Sequence, residues 1–415
     1  MKHVNFKNYT THFVQAGCVA LGVMLFHLTG CQSGSQLDAE VPSHPIEQGV
    51  SAPFAGFIGD ELIVGGGCNF PDVPAADGGK KVFYADVVAW NAGSKSSEWK
   101  SLRGLPSPNA YGATVEVKEG LVLIGGVNQD ASLNNVLLLI KDEASDVVQL
   151  KELPSLPEAI DNATATCIGR ALYVTGGNQG NGGNALYTMN LDTDTDTEWT
   201  KLTDYPGAKR IQPVLLADSE KLYLFGGFDV RSLQEQSDSK KGDSKKGDSK
   251  KKDSKYVDSK NEVKPTKVGI ISSDYIVYDV ANNEWSRPYP LPSMSDGSPR
   301  ALVGAAGTRV NDWLFLAGGV NYGIFKDAVE GNAPADYMKR PTEWYQFSKE
   351  VLAYNLRTKD WKIIPDVDGF NKAGGILLHH DGLLYMVCGE IKPGIRTNEI
   401  KTVTLKGLLS PQTAN

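Results

Sequence analysis

The stretch Leu62-Ile63-Val64-Gly65-Gly66-Gly67 decides the fold, because its form, Leu-x-x-x-Gly-Gly, returns along the chain. It recurs at Leu121–Gly126, Leu172–Gly177, Leu222–Gly227 and Leu314–Gly319, and a sixth copy, Leu384–Gly389, carries Cys388 at the first glycine position. The copies are 59, 51, 50, 92 and 70 residues apart, and periods of this size mark an array of supersecondary units. A short strand and a tight turn precede each copy, such as Gly112–Val117 with Lys118-Glu119-Gly120. After the glycines come a loop and a third strand, for example Val82–Trp90 or Asn398–Leu405. A fourth strand follows, marked by Trp99, Trp199, Trp285 or Trp361, with Val148 in the second copy. Four antiparallel strands repeated radially make a propeller blade, so an all-β, six-bladed β-propeller is expected. Glycine suits the crowded inner strands, and tryptophan on an outer strand can anchor one blade to the next.

The repeat resolves the domain count. A chain of 415 residues would suggest two or three domains; six blades over residues 51–409 make one, and the unit resembles the kelch type. The long interval of 92 has its cause in Asp238–Asp258, where Asp-Ser-Lys recurs every five residues with no apolar face. Residues 231–267 are therefore expected to be a charged, flexible insert in blade four. Within 237–260 nine Lys face five Asp, +4, so the net charge of −7 leaves the rest of the chain at −11. That balance gives no reason to expect a nucleic-acid partner. Tyr322–Ser348, with Tyr337, Trp344, Tyr345 and Phe347, reads as an ordered flap. No Trp-bearing strand follows Leu405, so Ser35–Val41 is expected to close the ring as the outer strand of blade six.

Residues 1–30 read as a leader: Lys2 and Lys7, then a short apolar run from Ala16 to Leu28. Leu28-Thr29-Gly30-Cys31 resembles a bacterial lipobox, which implies cleavage before Cys31, its lipidation, and a tether over 31–50. Gln32 at the next position implies a periplasmic protein held at the outer membrane. Of the remaining thiols, Cys68, Cys167 and Cys388 are an odd number, and each lies in or next to a strand, so buried structural roles are expected. The histidines left after the leader are His44, His379 and His380, without metal-ligand spacing, so no metal site is expected and a copper-dependent sugar oxidase is disfavoured.

The loops after the double glycines converge on one face of a propeller, and they are rich in Asn and acids: Cys68-Asn69-Phe70-Pro71, Val127-Asn128-Gln129-Asp130, Asn178-Gln179-Gly180-Asn181, Phe228-Asp229, Val320-Asn321-Tyr322 and Glu390–Arg396. Such a set suits a hydroxylated small molecule. The last loop, Gly389-Glu390-Ile391-Lys392-Pro393-Gly394-Ile395-Arg396-Thr397, packs an acid and two bases into a stiff turn. It resembles the motif Gly-Glu-x-Lys-Pro-Gly-x-Arg-Thr of the bacterial N-acetylneuraminate epimerases, or sialic acid mutarotases. Gly318–Asn321 with Ile324-Phe325, Ala110–Gly112, and Tyr205–Gly207 with Arg210 resemble further blocks of that family. The blade order differs: the family's prototype starts with the blade that is third here, so the chain resembles a cyclically permuted branch. Gly66–Pro71 followed by Gly78–Asp86 is typical of that branch.

The resemblance implies Glu390 as acid/base and Arg396 as an essential arginine. It implies a reaction that interconverts the anomers of an acidic sugar by ring opening, without a cofactor. Arg396 would hold the substrate carboxylate. Arg210 and Lys392 would add affinity for the anion, and Tyr111, Asn321 and Asn69 are candidates for hydroxyl or N-acetyl contacts. A non-catalytic kelch module that binds a glycan or protein, and a mutarotase of another sugar, are the alternatives.

Overall fold

Six sheets, each built round one copy of the glycine motif, carry the chain through a ring. A computed structural model describes residues 41–94, 98–141, 147–180, 183–192, 198–233 and 266–410. The leader, Cys31 and residues 32–40 lie outside the described residues, as does most of the insert.

In each blade the first strand pairs antiparallel with the glycine-motif strand, and the third pairs on the other side of it. In blade one Phe54–Ile58 pairs with Glu61–Gly65, then Val87–Asn91, then Lys100–Ser101. The same order holds in the next four blades, and blade six has three strands, Ile376–His380, Leu383–Val387 and Ile400–Thr404. The first strands lie side by side round the axis: Phe54–Ile58 touches both Ala113–Val117 and Ile376–His380, which closes the ring. They line a central channel of about 420 Å³.

Between each neighbouring pair of blades lies one apolar cluster, six in all, because alternate side chains of a strand face opposite neighbours. Leu62, Leu172, Leu222, Leu314 and Leu384, the first residues of their motifs, are fully buried in these clusters. The tryptophans act as the sequence implies. The Trp199 indole N–H donates to Pro154 O of the preceding blade at 2.8 Å, and that of Trp285 to Thr203 O at 2.9 Å.

Three departures from the expected strands matter. The stretch 82–90 is not one strand: Val82–Phe83 pairs with Cys68–Asn69 as a small ribbon, and the chain crosses to the blade before Val87. Similar ribbons replace two other loops, Phe228–Leu233 with Thr266–Ile271, and Glu390–Lys392 with Ile395–Arg396. Both ends of the expected flexible insert, Arg231–Leu233 and Thr266–Lys267, are instead paired strand in this ribbon, and residues 234–265 lie outside the described residues. The flap is built as the helix Tyr322–Glu330 and two 3-10 turns, Tyr337–Lys339 and Thr342–Tyr345, with the helix packed on Thr266–Ile271.

Blade six gains no fourth strand among the described residues. Val41–Val50 instead runs beside its third strand as a strap. His44 N–H donates to Asn398 O at 2.8 Å, Asn398 Nδ2 donates back to His44 O at 3.3 Å, and Gly389 N–H donates to Val50 O at 2.9 Å. The two ends of the propeller therefore meet between blades six and one; Ser35–Glu40, the rest of the expected closing strand, lies outside the described residues.

Candidate functional site

At one mouth of the channel each blade contributes a residue with left-handed backbone: Ala52, Tyr111, Asn162, Gln212, Gly304 and Gly374. Backbone hydrogen bonds join them in sequence. Gln212 donates to Asn162, Asn162 to Tyr111, Tyr111 to Ala52, Ala52 to Gly374 and Gly374 to Gly304, at 2.6–3.0 Å. These six residues line a cavity of about 90 Å³ on the axis.

Beside this hoop stands the blade-six ribbon. Glu390 and Arg396 are register partners across it, and Arg396 Nη2 lies 2.8 Å from Glu390 Oε1. The ribbon is tied to the hoop, because Glu390 N–H donates to Ala373 O at 2.7 Å and Ala373 N–H donates back at 2.9 Å. Gly394 turns it with φ +81°, a conformation costly for any side chain, and a Cβ there would sit 2.7 Å from Ala75. Burial pushes the Glu390 carboxyl above the usual carboxylate range; the Arg396 guanidinium, the Gly394 N–H and Lys81 pull the other way.

Arg396 is nearly enclosed. Its Nε donates to Ser51 Oγ at 3.2 Å, its plane lies 4.8 Å from the Phe70 ring centroid, and its Nη1 is buried without a partner. Ser51 precedes the first strand of blade one, so the arginine is gripped by both ends of the propeller. Tyr111 completes the cluster. Its hydroxyl accepts from Lys81 Nζ at 3.2 Å, and burial first, then the neighbouring Cys68 and Glu390, pushes its phenol pKa up.

The other expected site residues hold different places. Asn69 is buried and structural: its Nδ2 donates to Gly49 O at 2.8 Å and its Oδ1 accepts from Tyr84 Oη at 2.8 Å. Lys392 reaches away to the flap, donating to Arg340 O at 2.7 Å. Arg210 is buried under blade four, where Nη1 donates to Gly226 O at 2.8 Å and Nη2 pairs with Asp274 Oδ1 at 2.5 Å. This guanidinium braces a glycine turn, and its Nε, which has no partner, is shut off from solvent. Asn321 caps the flap helix, accepting from Ile324 N–H, and its amide donates to Gln346 Oε1. The structure adds Ser51, Phe70 and Lys81 to the cluster. Of these, Lys81 lies within the Gly78–Asp86 block, but nothing in the sequence alone shows that the ribbon folds it toward Tyr111.

Comparison with known proteins converges on the family that the blade-six motif resembles. The family model for N-acetylneuraminate epimerase matches residues 153–252 and 250–410. A Haemophilus influenzae N-acetylneuraminate epimerase is 30% identical over 258 residues, covering 59% of this chain and 57% of that protein. One from Yersinia enterocolitica is 30% identical over 266 residues, covering 59% and 55%. The chain thus aligns with a little over half the length of these curated relatives. The solved structure titled "Structure of YjhT" superposes with a TM-score of 0.57 at 15% identity, over 88% of this chain and 97% of that one. The family match begins at Leu153, the end of blade two, and runs on through blades three to six. On the strength of that match over more than half its length, with the Glu390–Arg396 ribbon inside it, the chain belongs to the N-acetylneuraminate epimerase family.

Proposed function

We propose that this protein is a mutarotase that interconverts the α and β anomers of N-acetylneuraminic acid. The observation that carries the reading is the Glu390–Arg396 pair, 2.8 Å apart beside the axial cavity and inside the matched region. A cyclic hemiketal exchanges anomers by opening its ring. Glu390, held as a carboxylate by Arg396, takes the proton of the anomeric hydroxyl. The bond from the anomeric carbon to the ring oxygen breaks, and that oxygen takes a proton from Tyr111. The open keto acid turns about the bond next to its carbonyl. The chain hydroxyl then attacks the other face, returning its proton to the Tyr111 oxygen while the carbonyl oxygen recovers one from Glu390. Protons and electrons balance over the cycle. Lys81 donates to the phenol oxygen of Tyr111, so the phenol proton is not used in that bond, and burial keeps the phenol protonated at neutral pH.

In this proposal the protein works in the periplasm, held to the outer membrane by lipid on Cys31; the lipobox-like Leu28–Cys31 followed by Gln32 supports that assignment. Proton NMR on freshly released α-anomer tests the activity. Acceleration of the approach to equilibrium is expected from the native protein, and a loss of roughly 10²–10⁴-fold from Glu390→Gln. An unchanged rate in that variant would refute the assignment, and sialic acid binding without acceleration would make the ring a glycan-binding module.

A further inference from the structure

Two cations, Arg396 and Lys81, act on Glu390, and a third, Lys392, shares its ribbon. Arg396 cancels Glu390. Its Nη2 is spent on the carboxylate, its Nε on Ser51, one face on Phe70, and its Nη1 is buried. A ligand carboxylate therefore meets no solvent-open edge of this guanidinium, because Nη1, the nitrogen without a partner, is itself shielded from solvent. Lys392 is turned to the flap carbonyl of Arg340.

Lys81 is different. It is only half-buried, and its one hydrogen bond among the described residues is to the phenol oxygen of Tyr111, so two of its three N–H donors stay open. No carboxylate pairs with it among the described residues. Its Nζ stands 5.0 Å from the centroid of Tyr111 and 6.0 Å from that of Phe70, the ring that also covers Arg396. Two aromatic faces hold an ammonium in place while leaving it unneutralised. Counting Glu390, Arg396 and Lys81 together, the cluster keeps one positive charge.

We infer that Lys81, and not Arg396, receives the carboxylate of the sugar acid, with Arg396 acting as the positioning residue for Glu390. The inference rests on the function proposed above for the identity of the acid. The arrangement has a chemical logic. An anion on Lys81 lies next to Tyr111, so the carboxylate-bearing anomeric carbon comes to rest between the phenol and Glu390. An anion on Arg396 would instead compete with the carboxylate that has to act as base. It also makes the Cys68–Asn69 and Val82–Phe83 ribbon of blade one the element that selects for acidic sugars.

The test compares binding of N-acetylneuraminic acid with that of its C1 methyl ester, by calorimetry, in the full chain. The native protein is expected to prefer the acid. Lys81→Met should weaken the acid by about 10- to 100-fold, the range of one lost hydrogen bond to a charged group, and leave the ester unchanged. Lys81→Arg should retain most of the preference. Equal weakening of acid and ester by Lys81→Met, or no weakening of the acid, would overturn the inference, as would a native protein that binds neither probe. Anomer exchange measured on the same samples separates the two readings. A Lys81-dependent preference for the acid without acceleration leaves Lys81 as the anion site and removes the mutarotase assignment.

Discussion

Acid should open the ring at its seam, and His44 sets how much. Its imidazole is 5% exposed, lies edge-on to Trp99 at 5.8 Å, and accepts from Ile46 N–H at 3.3 Å. Burial lowers its pKa from an ordinary 6.5 to about 4, against the pull of Asp86. The folded strap therefore holds a neutral imidazole, whereas the unfolded chain takes up a proton below 6.5. The stability this provides is fully present above the unfolded value and is lost as pH falls toward the folded one. Between about pH 7.5 and about pH 5.5 the loss comes to about 1.3 kcal/mol, and by about pH 4.5 to about 2.5 kcal/mol. The first figure barely depends on the folded pKa, because at that pH nearly all of the cost comes from protonating the unfolded state. Urea unfolding of the native protein and of His44→Gln, which stays neutral throughout, isolates the contribution. The native curve should lose about 1.3 kcal/mol more than the variant over that pH interval. Parallel pH dependences would refute the reasoning, whatever the absolute stability of the variant.

Two further outcomes follow from the site and the core. Because Glu390 must be ionised to act as base and burial raises its pKa, the exchange rate should fall on acidification through a pKa above the ordinary carboxylate range; a pH–rate profile flat down to about pH 4.3 would exclude Glu390 as the base. Thiol labelling followed by mass spectrometry should modify Cys167, half-buried on the channel wall, well before the fully buried Cys68 and Cys388; burial pushes the Cys388 thiol up to about 12, so rapid labelling there would mean that the seam opens.

Blade number and blade order were legible because the motif marks the same strand each time, and a buried leucine four residues before a glycine pair admits few other readings. Glu390 and Arg396 were legible because they share one hairpin. What escaped was commitment. Arg210 and Asn321 have the residue types of a binding site, yet Asp274, Gly226 and the start of the flap helix claim them, and the partner carboxylate lies 64 residues away in sequence. Lys81 escaped for the opposite reason: its importance lies in a missing partner, which no spacing displays. The split of 82–90 into a ribbon and a blade strand was hidden because both halves are rich in valine and aromatics, so β propensity runs through the break.

The hoop at the channel mouth has two unequal halves. Blades two, three and four present Tyr111, Asn162 and Gln212, with Gln212 Nε2 donating to Asn162 Oδ1 at 2.9 Å; blades five, six and one present Gly304, Gly374 and Ala52. Long side chains therefore stand on one half of the rim only, and Tyr111 leans from it toward Lys81 of blade one. The half of the rim that carries no long side chain includes Gly374, beside the Ala373 to which the Glu390 ribbon is tied. Sixfold repetition built the scaffold, and two glycines and an alanine give it a direction.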